Sequence, residues 1–409
     1  MSMNESPKLT RRYLIAAAGA ATLVGARRAH AARYHGPGVT DTEIRIGNTM
    51  AYSGNSAPYG STGIAEQAYF DMINTQGGIN GRKIRFLSRD DALTAAKTVE
   101  LTRQLVEADD VLAMFSILGS ATNHSVRAYL NQRQVPQLFC ASAAGIWGDY
   151  QHYPWTIGWA PSYFIEAHAF AAQIRRERPN GKIAILHENT DLGRDAVAGL
   201  HDALGSDYAK MVVADTTYDP PDPTVDSQIV SLYGSGADIF INISTTKFAA
   251  MAIRKVYQIG WRPLQLLTAT SNSIGAVIRP AGVARAAGIV SDSFLKDPTD
   301  PQWHDDPGVK DWLAWMTQYN PRASTADISN VGGYSQAQTL VEVLRRCGDD
   351  LSRANIMKQA TNLQHLKLPM LLPGIAINTS PTNYHPIRQL HMMRFDGTRW
   401  ALFGDLAGG

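Results

Sequence analysis

Apolar and polar positions alternate at Ile44-Arg45-Ile46-Gly47, which predicts a short strand. The period then changes. After a loop over 52–61, Ala65, Ala68, Tyr69, Met72 and Ile73 recur at helical spacing. Gly77-Gly78 supplies the backbone freedom that a helix C-terminus needs, Asn80-Gly81 signals a turn, and Ile84-Arg85-Phe86 opens a second strand. The stretch 44–91 is therefore one strand, loop, helix, turn and strand.

The same alternation continues. A helix over 94–108 turns Ala95, Ala96, Val99, Leu105 and Val106 inward, a strand follows over 111–115, and Gly119-Ser120 leads into a helix over 121–132 and a strand over 135–139. Strands alternating with helices predict a parallel sheet covered on both faces, with ligands held off the carboxyl ends of the strands. The periodicity breaks over 153–159 and then restarts, so a second lobe is expected. Its helices are predicted over 162–177, 194–204, 225–233 and 247–259, and its strands over 182–186, 211–214, 239–243 and 264–267. A strand over 288–291 reads as the return to the first lobe, followed there by helices over 312–319 and 334–346. A third crossing is expected near 373–375, before short final strands over 383–403.

The Ser53-Gly54 loop, the helix ending at Asn74, the Gly77-Gly78-Ile79 turn and Gly81-Arg82-Lys83-Ile84 stand in an order that resembles the opening of one family. These are the periplasmic solute-binding proteins of branched-chain amino-acid (Leu/Ile/Val-binding protein-like) ABC transporters. The resemblance implies a type I periplasmic binding protein fold: α/β, with two Rossmann-like lobes joined by a three-crossing hinge. On that basis 42–158 with 291–373 form lobe 1, and 159–290 with 374–409 form lobe 2. It also implies a small-molecule ligand and an ABC transporter permease at the membrane as partner; no cofactor is expected, and no metal, since no metal-ligand spacing of Cys or His appears.

Carried onto this chain, the resemblance places the ligand's carboxylate at Ser120, with backbone groups of Ala141 and Ser142. A serine before a helix serves equally as an N-cap. The free N–H groups and dipole of a helix start favour an anion in either reading. Tyr59 stands where relatives carry an aromatic ring beside the ligand; packing over the next helix is its second reading, and Tyr52 is a weaker candidate. From the second lobe come Asp191 and Leu192, Thr245, and Thr270, all in loops at strand ends.

Relatives that bind α-amino acids carry an acidic side chain in the loop matching 268–271, and this chain has none there. They also often carry a tyrosine where this chain has Leu192. A buried ammonium without a counter-charge costs several kcal/mol. The expected ligand is therefore a carboxylate lacking an amino group, with an aromatic or apolar tail favoured by Tyr59 and Trp147, unless a carboxylate such as Asp191 is recruited. A branched-chain or other amino acid stays open as the second reading.

Paired arginines, Arg11-Arg12, precede a short, mildly apolar run, and Ala29-His30-Ala31 has the spacing of a cleavage site. Residues 1–31 are thus expected to be a twin-arginine signal peptide of an exported, periplasmic protein. That segment holds five basic and one acidic side chain, so its removal takes the formal net charge from +2 to −2. With no basic run, nothing favours nucleic acid. Cys140 and Cys347 read as buried free thiols. Gly333-Tyr334-Ser335-Gln336-Ala337 comes near a hydrolase nucleophile elbow but lacks a convincing strand before the serine, so no enzyme is expected. A secreted hydrolase and a ligand-sensing domain, each on the same fold, stay open behind the transport reading.

Overall fold

The computed structural model describes residues 34–408, and the expected signal segment lies outside them. The first sheet holds β1 (Glu43–Met50), β2 (Lys83–Asp90), β3 (Ala113–Phe115) and β4 (Gln137–Leu138), all parallel, in the order β2-β1-β3-β4. Ile44 and Ile46 alternate with half-buried neighbours, but from Gly47 to Met50 every position is buried, because β1 is central and covered on both faces. Asn74 ties the end of the helix Gly60–Thr75 to β2. Its amide donates to the Ile84 oxygen at 2.8 Å and its oxygen accepts from the Ile84 N–H at 2.7 Å. The chain then turns through Gly78, whose φ is +72°; a Cβ there would stand 2.0 Å from the Arg82 oxygen. Only glycine meets both demands.

The second sheet holds β5 (Ile183–Glu188), β6 (Val212–Tyr218), β7 (Ile239–Ile243), β8 (Leu264–Leu267), β9 (Val290–Ser293), β10 (Gln389–Phe395) and β11 (Trp400–Gly408), in the order β11-β10-β9-β8-β7-β5-β6. Strands β5 to β9 run parallel; β10 is antiparallel to both β9 and β11. Among the described residues no helix is long and apolar enough to cross a membrane.

Two expected crossings are misplaced. The strand expected over 288–291 to return to lobe 1 is β9, which pairs with β8 and β10 inside the second sheet. The chain returns only after it, at Phe294 and Leu295, which pack on the first lobe's core. Likewise, Ile375, Ile377, Tyr384 and Ile387 belong to that first core, so the last crossing follows Ile387 rather than residue 373. In both places a polar, turn-rich sequence hides which core its few apolar residues enter. At the hinge, Trp159 and Phe294 meet with ring centroids 5.5 Å apart, and the Trp159 Nε1–H donates to Thr339 Oγ1 at 3.0 Å.

The helices Tyr163–Glu177, Asp191–Leu204, Thr246–Gln258 and Ile328–Arg346 stand where periodicity expected helices, with the last starting six residues earlier than predicted. Asp327 explains that start: its carboxylate accepts from the Ser329 N–H at 3.2 Å, a side-chain cap, and also receives the hydroxyls of Ser61 and, from the second lobe, Ser273. Cys140 and Cys347 are both free and buried, and burial pushes each thiol up to about 12.

Candidate functional site

A cavity of about 250 Å³ lies between the carboxyl ends of the two sheets. Its first-lobe wall is built by the loops after β3 and β4 and by the start of the helix Ile328–Arg346. The second-lobe wall comes from the loops after β5, β7 and β8, the end of β9, and the first turn of the helix Tyr163–Glu177.

Of the residues expected from the sequence, Tyr59, Ser120, Ala141, Ser142, Leu192, Thr245 and Thr270 all line this cavity. Asp191 does not. Its carboxylate is engaged at the rim, where Arg194 donates at 2.8 Å and the His124 ring, on the opposite lobe, lies 2.7 Å away. Tyr52 is drawn off to Ser88, with its hydroxyl 2.7 Å from Ser88 Oγ.

Ser120 opens the helix Ser120–Gln132 directly after Gly119, whose φ of +92° turns the chain into the helix. Ser120 Oγ is 2.8 Å from Ser142 Oγ. Ser142 Oγ also accepts the Trp147 Nε1–H at 3.0 Å and the Ala144 N–H at 3.3 Å. With two donors already on its oxygen, Ser142 is best placed to give its own proton to Ser120, which leaves the Ser120 proton for the cavity. Trp147 therefore holds the site from behind instead of forming a wall of it.

Tyr59 does more than offer a ring. Its hydroxyl donates to the Thr270 oxygen at 3.0 Å and accepts the Thr246 N–H at 3.3 Å, so a first-lobe side chain caps the second lobe's loops. A further bond closes the same gap: the Gly145 N–H donates to Asp195 Oδ2 at 2.8 Å.

Sequence reasoning missed the cavity's acids. The loop 268–271 indeed carries none, yet Glu166, Glu188 and Asp292 all line the cavity, so the expectation that an ammonium would find no counter-charge loses its basis. Glu188, at the end of β5, accepts from Thr190 Oγ1 at 2.9 Å, Tyr218 Oη at 3.0 Å and Thr245 Oγ1 at 3.1 Å. Burial raises its pKa, and those three hydroxyls partly offset the rise. Glu166 accepts from Thr268 Oγ1 at 2.8 Å and from the Ala269 N–H at 2.6 Å, and its carboxyl is in hydrogen-bond contact with that of Asp292. Burial, then the neighbouring Glu166 charge, hold the Asp292 carboxyl well above the usual range. Among the described residues no lysine, arginine or histidine lines the cavity. Glu166 in a first helical turn reads from sequence as a dipole-favoured acid, and Asp292 as one polar residue in Val290-Ser291-Asp292-Ser293; neither carries a signal of its partner.

Ser335 lies inside the helix Ile328–Arg346 and is fully buried, so it is not the exposed serine of a strand-to-helix elbow. Among the described residues no group of His, Cys, Asp or Glu side chains is arranged to hold a metal.

Residues 43–399 match a family model described as periplasmic binding protein. A "Leu/Ile/Val-binding protein homolog 8" of Brucella abortus (strain 2308) is 22% identical over 313 residues, covering 73% of this chain and 76% of that protein. Among solved structures, a branched-chain amino acid ABC transporter protein from Thermus thermophilus with bound valine superposes with a TM-score of 0.81 at 15% identity, covering 91% of this chain and 98% of that one. An R. palustris solute-binding protein in complex with 4-hydroxybenzoate gives a TM-score of 0.74 at 15% identity, covering 89% and 96%.

Proposed function

We propose, from the premise that this chain belongs to the periplasmic binding protein family of ABC transport systems, that it captures a small carboxylic acid between its lobes and delivers it to a membrane permease. The observation that carries the ligand class is the Ser120–Ser142 hydroxyl pair at the start of the helix Ser120–Gln132. Hydroxyl donors and helix N–H groups together attract a carboxylate, and the dipole adds to the attraction. Trp159, Phe294, Leu118 and Leu192 give the ligand's body an apolar surround. The valine and 4-hydroxybenzoate named for the two related structures are both carboxylic acids, which supports the same reading.

The role is capture rather than catalysis. The cavity offers no serine or cysteine nucleophile beside a histidine, because no histidine among the described residues lines it. Family membership implies an extracytoplasmic location, and the twin arginines Arg11-Arg12 support the twin-arginine route. Replacing both by lysine is expected to stop export; normal periplasmic recovery of that variant would point to a different route.

The ligand class is tested with Ser120→Ala. Loss of one hydrogen bond to a charged group should weaken a carboxylate ligand by about 1.5–3 kcal/mol, roughly tenfold to a hundredfold, in calorimetric titration. Unchanged affinity would remove Ser120 from the carboxylate's shell.

A further inference from the structure

We infer that the end of the second lobe remote from the cavity is a docking face for an anionic phospholipid membrane, built from four arginines and the exposed apolar side chains among them. The inference adds a second surface to the capture reading above and does not depend on the ligand's identity.

Arg254, Arg262, Arg279 and Arg285 are spread along the sequence, and the fold gathers them. Arg254 and Tyr257 stand one turn apart on the helix Thr246–Gln258. The guanidiniums of Arg262 and Arg285 both lie over the Tyr257 ring, 4.5 Å and 5.9 Å from its centroid. The Arg254 Nη1–H donates to the Pro280 oxygen at 2.9 Å, which brings it beside Arg279. Of the eight large apolar side chains exposed among the described residues, Tyr257 and Val283 stand within this group. Val230 and Tyr233 border it on the helix Asp226–Gly234, where the Tyr233 and Trp261 ring centroids are 6.1 Å apart.

No acid balances the arginines. Arg254, Arg262 and Arg285 donate to backbone oxygens, each through Nη1 alone, which leaves further N–H groups to donate to phosphate oxygens. Among the described residues no carboxylate forms an ion pair with any of the four; Asp226, at the border, is taken by Lys255 at 3.3 Å. Without residues 1–31 the formal net charge of the chain is −2, so four positive charges on one face are a local excess and not a property of the whole.

The make-up of the face selects the partner. Arginine binds phosphate, and tyrosine and valine enter the boundary between headgroups and acyl chains. A second copy docking by the same face would set four guanidiniums against four. The apolar groups alternate with charges instead of merging into the apolar centre of a stable protein interface. Thr245 lines the cavity and Thr246 opens the helix, and Tyr257 follows eleven residues later, about 16 Å along the helix axis. Docking there holds the protein at a membrane and leaves the cavity uncovered.

The test is co-sedimentation of the purified exported protein, without ligand, with vesicles of phosphatidylglycerol and phosphatidylcholine, compared with phosphatidylcholine alone. Binding should require phosphatidylglycerol and weaken as salt is raised. The double variant Arg262→Gln with Arg285→Gln should lower the partition coefficient about tenfold to thirtyfold, whereas Arg262→Lys with Arg285→Lys should keep most of it, since attraction to a charged membrane reads charge. Lys83→Gln with Lys358→Gln, which removes two exposed charges of the first lobe, should change it little. Equal loss in both glutamine variants, equal binding to both kinds of vesicle, or binding to neither would overturn the face. So would inorganic phosphate that raises the melting temperature of the wild type alone while no vesicle is bound, which would assign the arginines to a free anion. Self-association in sedimentation velocity that Arg262→Gln with Arg285→Gln abolishes, again without vesicle binding, would assign the face to a protein contact instead. The wild-type vesicle comparison stands even if a variant fails to fold. No ligand enters the experiment, so its failure leaves the capture reading in place.

Discussion

The Tyr59 hydroxyl donates to the backbone oxygen of Thr270 at 3.0 Å, a bond that joins the two lobes across the cavity mouth. It also accepts the Thr246 N–H, so one side chain satisfies a donor and an acceptor of the facing lobe. Tyr59→Phe leaves the ring in place and removes only this latch. The closed form should lose about 1–3 kcal/mol relative to the open one, and ligand should bind roughly fivefold to a hundredfold more weakly. Stopped-flow dissociation should show the loss mainly as faster release. Unchanged release would mean that the bond contributes nothing to closure.

Ser142 and Ser120 are expected to separate into different roles. Ser142→Ala leaves the buried Trp147 Nε1–H without its acceptor and should cost about 1–3 kcal/mol of stability. Ser120→Ala leaves that indole bond intact. Thermal unfolding should therefore show the larger drop for Ser142→Ala, and the reverse order would contradict a Ser142 hydroxyl that anchors Trp147 from behind the site.

Glu66 sets a pH dependence. It is fully buried in the first lobe, and burial holds its carboxyl well above the ordinary range, with the Ser116 hydroxyl offsetting this only in part. The unfolded chain ionises this group near pH ~4.3, whereas the folded chain keeps its proton to higher pH. Between those two values the unfolded state binds fewer protons, so stability falls as pH rises through that window. Glu66→Gln should remove this group's share of the decline. Its melting temperature should exceed that of the wild type at about pH 7.5, with the gap narrowing toward about pH 4.5; a gap that is constant with pH would exclude ionisation of Glu66 as the cause.

Asp191 bridges the lobes at the rim, where its partner His124 is more than half exposed. Rim ion pairs of this kind contribute about 0–1 kcal/mol. Asp191→Asn should thus change ligand affinity by no more than roughly fivefold, and less at high salt. A loss of about a hundredfold in titration would place Asp191 in contact with the ligand after all.

The sequence by itself carried everything that depends on neighbours along the chain. Period-two apolar positions at Ile44 and Ile46, the helical run from Ala65 to Ile73, and the Gly78 turn report local geometry, because each is imposed by a backbone repeat or a φ that few residues adopt. Gly119-Ser120 was legible for the same reason: a strand end followed by a helix start is a local event, and its free N–H groups belong to the first turn whatever the rest of the chain does. Tertiary structure decided where the chain crosses between lobes, since β9 shows its membership only through pairing with β8 and β10. It also decided the charge of the cavity. Glu166 and Asp292 lie far apart in sequence, each in a setting where an acid is unremarkable, and only the packing of the helix Tyr163–Glu177 against the end of β9 brings them into contact. Burial then raises both carboxyls, an effect of shared low-dielectric surroundings that no residue carries alone.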